Sequence, residues 1–190
     1  GVEKENPDCL DCLTTGDLFE LLEQEVNSNM RYDIIWMKNV LEHVLDPVSL
    51  MKTLHQLVSK NGIAVITVPN DFSIVQKEAL DTGHIANQFW VAPPDHLTYF
   101  NYNSLKNIAK HTGWKVCDLL GDFPVDWYLY HPDSNYVNNT SVGKKAHWAR
   151  VQLENLFHQS TPILEIIEFW RVMAKVGSGR CLTIFIKPVE

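Results

Sequence analysis

The sequence predicts an α/β domain with a parallel sheet and a helical insertion, and three observations carry that expectation. Short apolar runs rich in isoleucine and aromatics alternate with stretches of helical periodicity. The helical stretches are bounded by capping residues and by glycine. The link between the first two apolar runs has the makeup of a βαβ crossover.

In order along the chain, Gly16 to Val26, with Leu18, Leu21, Leu22 and Val26, reads as a helix entered from a strand end. Tyr32-Asp33-Ile34-Ile35-Trp36-Met37 reads as a strand buried on both faces of a parallel sheet. Asp46-Pro47 supplies an N-cap and a first-turn proline. Leu50, Met51, Leu54, Leu57 and Val58 form one apolar helical face, which Asn61-Gly62 is expected to close. Ile63 to Val68 is a second buried strand, stopped by Pro69-Asn70. Asn103 or Ser104 is expected to cap a helix carrying Leu105, Ile108 and Ala109, with Gly113 ending it and Trp114 to Leu119 forming the next strand. Residues 120–180 read as an insertion: a structured loop to Gly143, then helices over Lys144–His158 and Thr161–Val176. Cys181 to Ile186 is the last strand.

The chain has 190 residues, 45% hydrophobic and 21% charged, as one soluble globular domain requires. Its formal net charge of −7 argues against sequence-independent binding to nucleic acid, which needs a basic surface. No apolar run is long enough to span a bilayer, and Gly1 to Asn6 does not resemble a signal peptide, so the cytoplasm is the expected location. Cys9 and Cys12 form one C-x-x-C pair, but a structural zinc site needs four ligands, so ordinary thiols are expected.

In open α/β sheets, ligands bind outside the carboxyl ends of the strands. That rule selects Lys38-Asn39-Val40-Leu41-Glu42-His43 after the first strand and Pro69-Asn70-Asp71-Phe72 after the second.

The run YDIIWMKNVLEHVLDP, followed by NGIAVITVPN and then by APPDHLTYFNYNSLKNIAKHTGWKV, resembles class I S-adenosylmethionine-dependent methyltransferases over roughly residues 14 to 119. The resemblance implies a Rossmann-like sheet, mostly parallel, whose last strand (Cys181 to Ile186) runs antiparallel, and S-adenosylmethionine as cofactor. It implies that Asp17 and Leu18 meet the adenine, although Asp17 also suits an N-cap; that Glu3 grips the ribose; and that Lys38, Asn39 and Val40 pass the sulfonium. The family's first strand and glycine-rich loop are absent, Gly1 and Gly16 being the only early glycines, so an N-terminally incomplete domain is expected. Residues 120–180 fall where relatives build an acceptor cap.

Methyl transfer to oxygen needs a base or a metal, and His43 and His96 are the candidate catalytic bases. Glu42, His43 and His96 also resemble the divalent-metal set of small-RNA 2′-O-methyltransferases, with Asn39 where that set has a second glutamate. The aromatic residues around Trp90, Tyr99 and Trp127 suit either packing or stacking on a ligand. His147 and Arg150, one helical turn apart, suit either a solvated helix face or an anionic acceptor. The expected function is methylation of a small molecule or glycan-type acceptor, at oxygen. The alternatives are a metal-assisted RNA 2′-O-methyltransferase and an inactive, methyltransferase-like binding module.

Overall fold

A computed structural model describes residues 13–189. Helix α1 (Leu18–Asn27) starts at Asp17, whose carboxylate accepts hydrogen bonds from the Phe19 and Glu20 amides. Strand β1 (Tyr32–Lys38) follows, then helix α2 (Pro47–Leu57) and strand β2 (Val58–Pro69). Asp46 caps α2 through the Ser49 amide, with Pro47 at the first helical position. Helices α3 (Ile74–Asp81) and α4 (Tyr102–His111) precede strand β3 (Trp114–Gly121). Between β3 and the last strand β4 (Cys181–Pro188) lie two short 3₁₀ turns and helices α5 (Gly143–Ser160) and α6 (Ile163–Lys175), close to the two helices expected over Lys144–His158 and Thr161–Val176.

The sheet order is β1-β2-β4-β3. β1 pairs with β2 in parallel, with Met37 opposite Ile66 and Lys38 opposite Thr67. β4 runs antiparallel to both β2 and β3, so three strands share one direction and the last opposes them. This is the mixed, Rossmann-like sheet that the sequence predicts. Its core lies on one face, where Met37, Ile66, Val68, Leu182, Ile184 and Ile186 meet Leu50, Met51, Leu54, Leu105, Ala109 and Trp114. The Trp114 indole nitrogen donates to the Met51 carbonyl, so even this buried polar group is satisfied.

Four local expectations change. β1 is not buried on both faces: Ile34 and Trp36 are 68% and 74% exposed, because α1, α2, α4 and α6 pack on the opposite face. Asn61-Gly62 does not cap α2, which ends at Leu57; the pair lies inside β2, in a bulge where Val58 pairs with Tyr32 and Ile63 with Ile34. Gly62 is needed there for space, since a Cβ would stand 2.9 Å from the Asp33 carbonyl oxygen. The cap of α4 is Asn101, two or three residues before the expected Asn103 or Ser104, with the Ser104 hydroxyl accepting the Asn101 amide in return. Finally, α3 is a helix the periodicity did not suggest. Its sign was the S-x-x-Q capping box of Ser73 and Gln76. Glu3 and the Cys9–Cys12 pair lie outside the described residues.

Candidate functional site

The β1–β2 register brings both strand-end turns to one edge of the sheet. The Asn39 amide donates to the Thr67 carbonyl at 2.9 Å, and Asn39 turns the chain with φ +53°. Asparagine tolerates this left-handed geometry at low cost. Beyond β2, the Asn70 amide donates to the Arg180 carbonyl, its side chain donates to the Gly179 carbonyl, and the Asp71 amide donates to the Phe100 carbonyl. Phe72 then adopts φ +54°, an uncommon conformation for a bulky residue, with its ring against Trp90 and Tyr99.

Three of the predicted residues come together between these turns. Ligand atoms of Glu42, His43 and His96 all lie within 4.8 Å of one another, and the two imidazoles meet edge to face. The segment carrying His96 is tied to the V-L-E-H turn because the Leu97 and Thr98 amides both donate to the Glu42 carbonyl. His43 Nδ1 lies 2.6 Å from the Asp95 carbonyl oxygen, which can only accept. Nδ1 therefore carries a proton, and in the neutral ring the lone pair sits on Nε2. Nε2 lies 3.7 Å from Glu42 Oε1. The Glu42 side chain is 1% exposed, and among the described residues neither of its oxygens has a hydrogen-bond partner. Burial raises its pKa above the ordinary glutamate value, while His43 and His96 pull it back. His96 Nδ1 is likewise buried and unpartnered. A lone pair facing an ionised carboxylate is repulsive, so this arrangement calls for a proton or a cation between the groups.

Next to it is a charge network in which, among the described residues, only Asp71 Oδ2 is buried without a hydrogen-bond partner. Arg180 pairs with Asp71 at 3.3 Å and with Asp126 at 3.9 Å. Asp126 accepts from Gln76 Nε2 at 2.9 Å and from the Tyr136 hydroxyl. Burial and the adjacent Asp126 carboxylate push the Tyr136 hydroxyl pKa up, which keeps it a neutral donor.

Lys38 and Asn39 line a cavity of about 650 Å³, together with Trp36, Thr67, Asp122 and Cys181. Asp122 is the residue that sequence reasoning missed. Its Oδ1 accepts from the Cys181 amide at 2.7 Å, and burial raises its pKa to about 6. The run Asp122-Phe123-Pro124 resembles a bacterial subgroup of the family, often of unassigned substrate, but nothing local places its carboxylate in this cavity, so only the fold reveals that role. Asp17 and Leu18 do not line this cavity; the Asp17 carboxylate is engaged as the α1 cap. Val40 packs half-buried against the core.

The family model described as "Methyltransferase domain" matches residues 5–119, more than half of the chain. No curated protein matches it. Among solved structures, a SAM-dependent methyltransferase from Archaeoglobus fulgidus aligns at 18% identity and TM-score 0.48, covering 92% of this chain and 66% of that one. The O-methyltransferase of a trans-AT PKS multienzyme from Brevibacillus brevis, solved with S-adenosyl-L-homocysteine, aligns at 11% and 0.42, covering 84% and 45%. The phosphoethanolamine N-methyltransferase 2 of Haemonchus contortus aligns at 14% and 0.38, covering 83% and 34%. The chain thus spans just under two thirds of the Archaeoglobus protein, and likeness at these levels says nothing about substrate. No described helix is long and apolar enough to cross a membrane.

Proposed function

Because the chain belongs to the methyltransferase-domain family, we propose that its protein transfers a methyl group from S-adenosylmethionine to an oxygen of a small molecule or glycan-type acceptor. The observation that carries this reading is the meeting, at adjacent parallel strand ends, of the Lys38–Asn39 turn with a histidine whose tautomer is set for proton abstraction. The cofactor supplies an electrophilic methyl carbon on a sulfonium, with a neutral thioether as leaving group. The residues present suit it: Asp122 and the Trp36 ring for the sulfonium, Lys38 for a carboxylate, in a cavity of the size ligand sites have.

His43 Nε2 takes the proton of the acceptor hydroxyl, while the Asp95 carbonyl holds Nδ1–H and the ring orientation. Glu42 then faces the imidazolium and offsets its charge. His96 packs against the His43 ring and limits its rotation. Proton transfer of this kind contributes about 10²- to 10⁴-fold. His43→Ala is therefore expected to lower kcat by that factor while S-adenosylhomocysteine affinity stays within about threefold, as read by calorimetry and by turnover against sugars, nucleotides and phenols. No turnover of any acceptor with the donor bound would defeat the oxygen reading.

The unpartnered Glu42 oxygens favour a second reading, in which Glu42, His43 and His96 hold a divalent cation at the same place. The charge would settle the buried carboxylate and lower the pKa of a coordinated hydroxyl. Manganese binding by calorimetry, lost in Glu42→Ala, is its expected sign; no heat at millimolar metal ends it.

A further inference from the structure

We propose that the cavity between the insertion and the segment carrying Phe89 binds an oxyanion of the methyl acceptor, a carboxylate or phosphate, on Arg150 and His147. This places the acceptor's charge and so rests on the reading above. The cavity is about 340 Å³, with Phe89, Tyr136, His147, Arg150 and Arg180 in its wall. Every charged or titratable group of that wall other than the Tyr136 phenol is a cation or an imidazole, and no carboxylate lines it. In a chain of net charge −7, that segregation needs a cause.

The cations differ in how far their charge is answered. Arg180 is held from behind by Asp71 and Asp126 and serves the network already described. Arg150 is not so held. Its Nε is buried without a hydrogen bond, and its nearest carboxylate, Glu154, stands 3.7 Å away one turn further along α5. A part-exposed ion pair at that distance contributes little. Its Nη2 lies 3.4 Å from His147 Nδ1. A guanidinium can only donate, so Nδ1 accepts and the ring proton of neutral His147 sits on Nε2. The pair thus presents a guanidinium and an imidazole N–H, a combination suited to an oxyanion. Lys144 and Lys145, in the first turn of the same helix, add to the field. Phe89 and Tyr136 meet edge to face across 6.2 Å and give apolar walls for the body of the acceptor. Arg150 also lines the cavity under Lys38 and Asn39, so an anion held there lies between the insertion and the strand-end turn.

The test is calorimetric titration of the whole protein, at low ionic strength, with inorganic phosphate and separately with acetate, and with S-adenosylhomocysteine in parallel. At least one anion is expected to saturate, and the preferred one states whether the acceptor is phosphorylated or carboxylated. Arg150→Gln should weaken that binding by about tenfold or more, with Arg150→Lys falling between, because lysine lacks the fork. His147→Ala should act in the same direction without touching Glu154, and Lys175→Gln on α6 should leave binding unchanged; matching thermal melts exclude unfolding. Linear, unsaturable heats for both anions while S-adenosylhomocysteine binds would overturn the inference and leave the methyltransferase reading intact. So would Arg150→Gln binding phosphate as the wild type does. Saturable phosphate binding without S-adenosylhomocysteine binding would keep the anion site and remove the methyl-transfer reading.

Discussion

Asp122 shows how one side chain can couple stability to the candidate site. It is mostly buried, and the Cys181 amide at 2.7 Å offsets only part of the cost of removing its charge from water. Its pKa is about 6 in the folded protein, whereas an unfolded aspartate releases its proton near 4. Between those values the folded state binds more protons than the unfolded one. Stability from this group therefore falls as pH rises from about 4 to about 6 and stays low above, a loss of about 2–3 kcal/mol. Asparagine keeps the oxygen that accepts from Cys181 and discards the charge. Asp122→Asn is expected to gain about that amount at pH 8 and almost nothing at pH 4, measured as the difference in urea midpoint at unchanged slope. Equal differences at both pH values would show that folding leaves the Asp122 pKa unchanged. Residues of this kind were not legible in the sequence. Glu42 and His43 were, because the turn after the first strand falls at the carboxyl edge of a parallel sheet, and His96 joined them only through the resemblance to a metal-binding set; Asp122 depends on β4 returning beside β2, which no local pattern states.

At the scale of elements, legibility follows the strength of local signals. Asp46-Pro47 marked α2 because an N-cap and a first-turn proline act within one turn. Asn61-Gly62 misled because its glycine serves the approach of the β2 bulge to β1, a tertiary demand that outweighs the turn preference. The end of β3 makes the same kind of demand on the insertion. A Cβ at Gly121 would lie 2.9 Å from the Ala174 amide nitrogen and 3.2 Å from Met173 Cβ, so the strand packs directly on the α6 backbone. Neither partner is the free end of a flexible side chain, so the space cannot be made by a rotamer change. Gly121→Ala is expected to cost about 1–3 kcal/mol by overpacking. The loss should appear in chemical denaturation together with faster amide exchange at the end of α6; a neutral substitution would mean that α6 moves freely relative to the sheet.

Over the whole molecule, the two faces of the sheet do different things. One face carries the core: Ile66, Leu182, Ile184 and Ile186 are fully buried beneath α2, α4 and β3 residues. The other presents Ile34, Trp36, Val65 and Phe185 around the cavity that Lys38 and Asn39 line, with Ile34 and Trp36 largely exposed. Burial, not residue type, sets the contribution of an apolar side chain, since the stabilisation follows area removed from water. Ile184→Ala should therefore cost about 2–5 kcal/mol, transfer and cavity terms together. Ile34→Thr and Trp36→Thr, of similar or greater apolar loss by composition, should each change stability by less than about 0.5 kcal/mol. Urea denaturation of the three variants makes the comparison, with dye binding to exposed apolar surface expected to fall only in the two β1 variants. A Trp36→Thr cost matching that of Ile184→Ala would mean that another part of the protein covers this face, and the wall of the proposed donor cavity would then have to be redrawn around it.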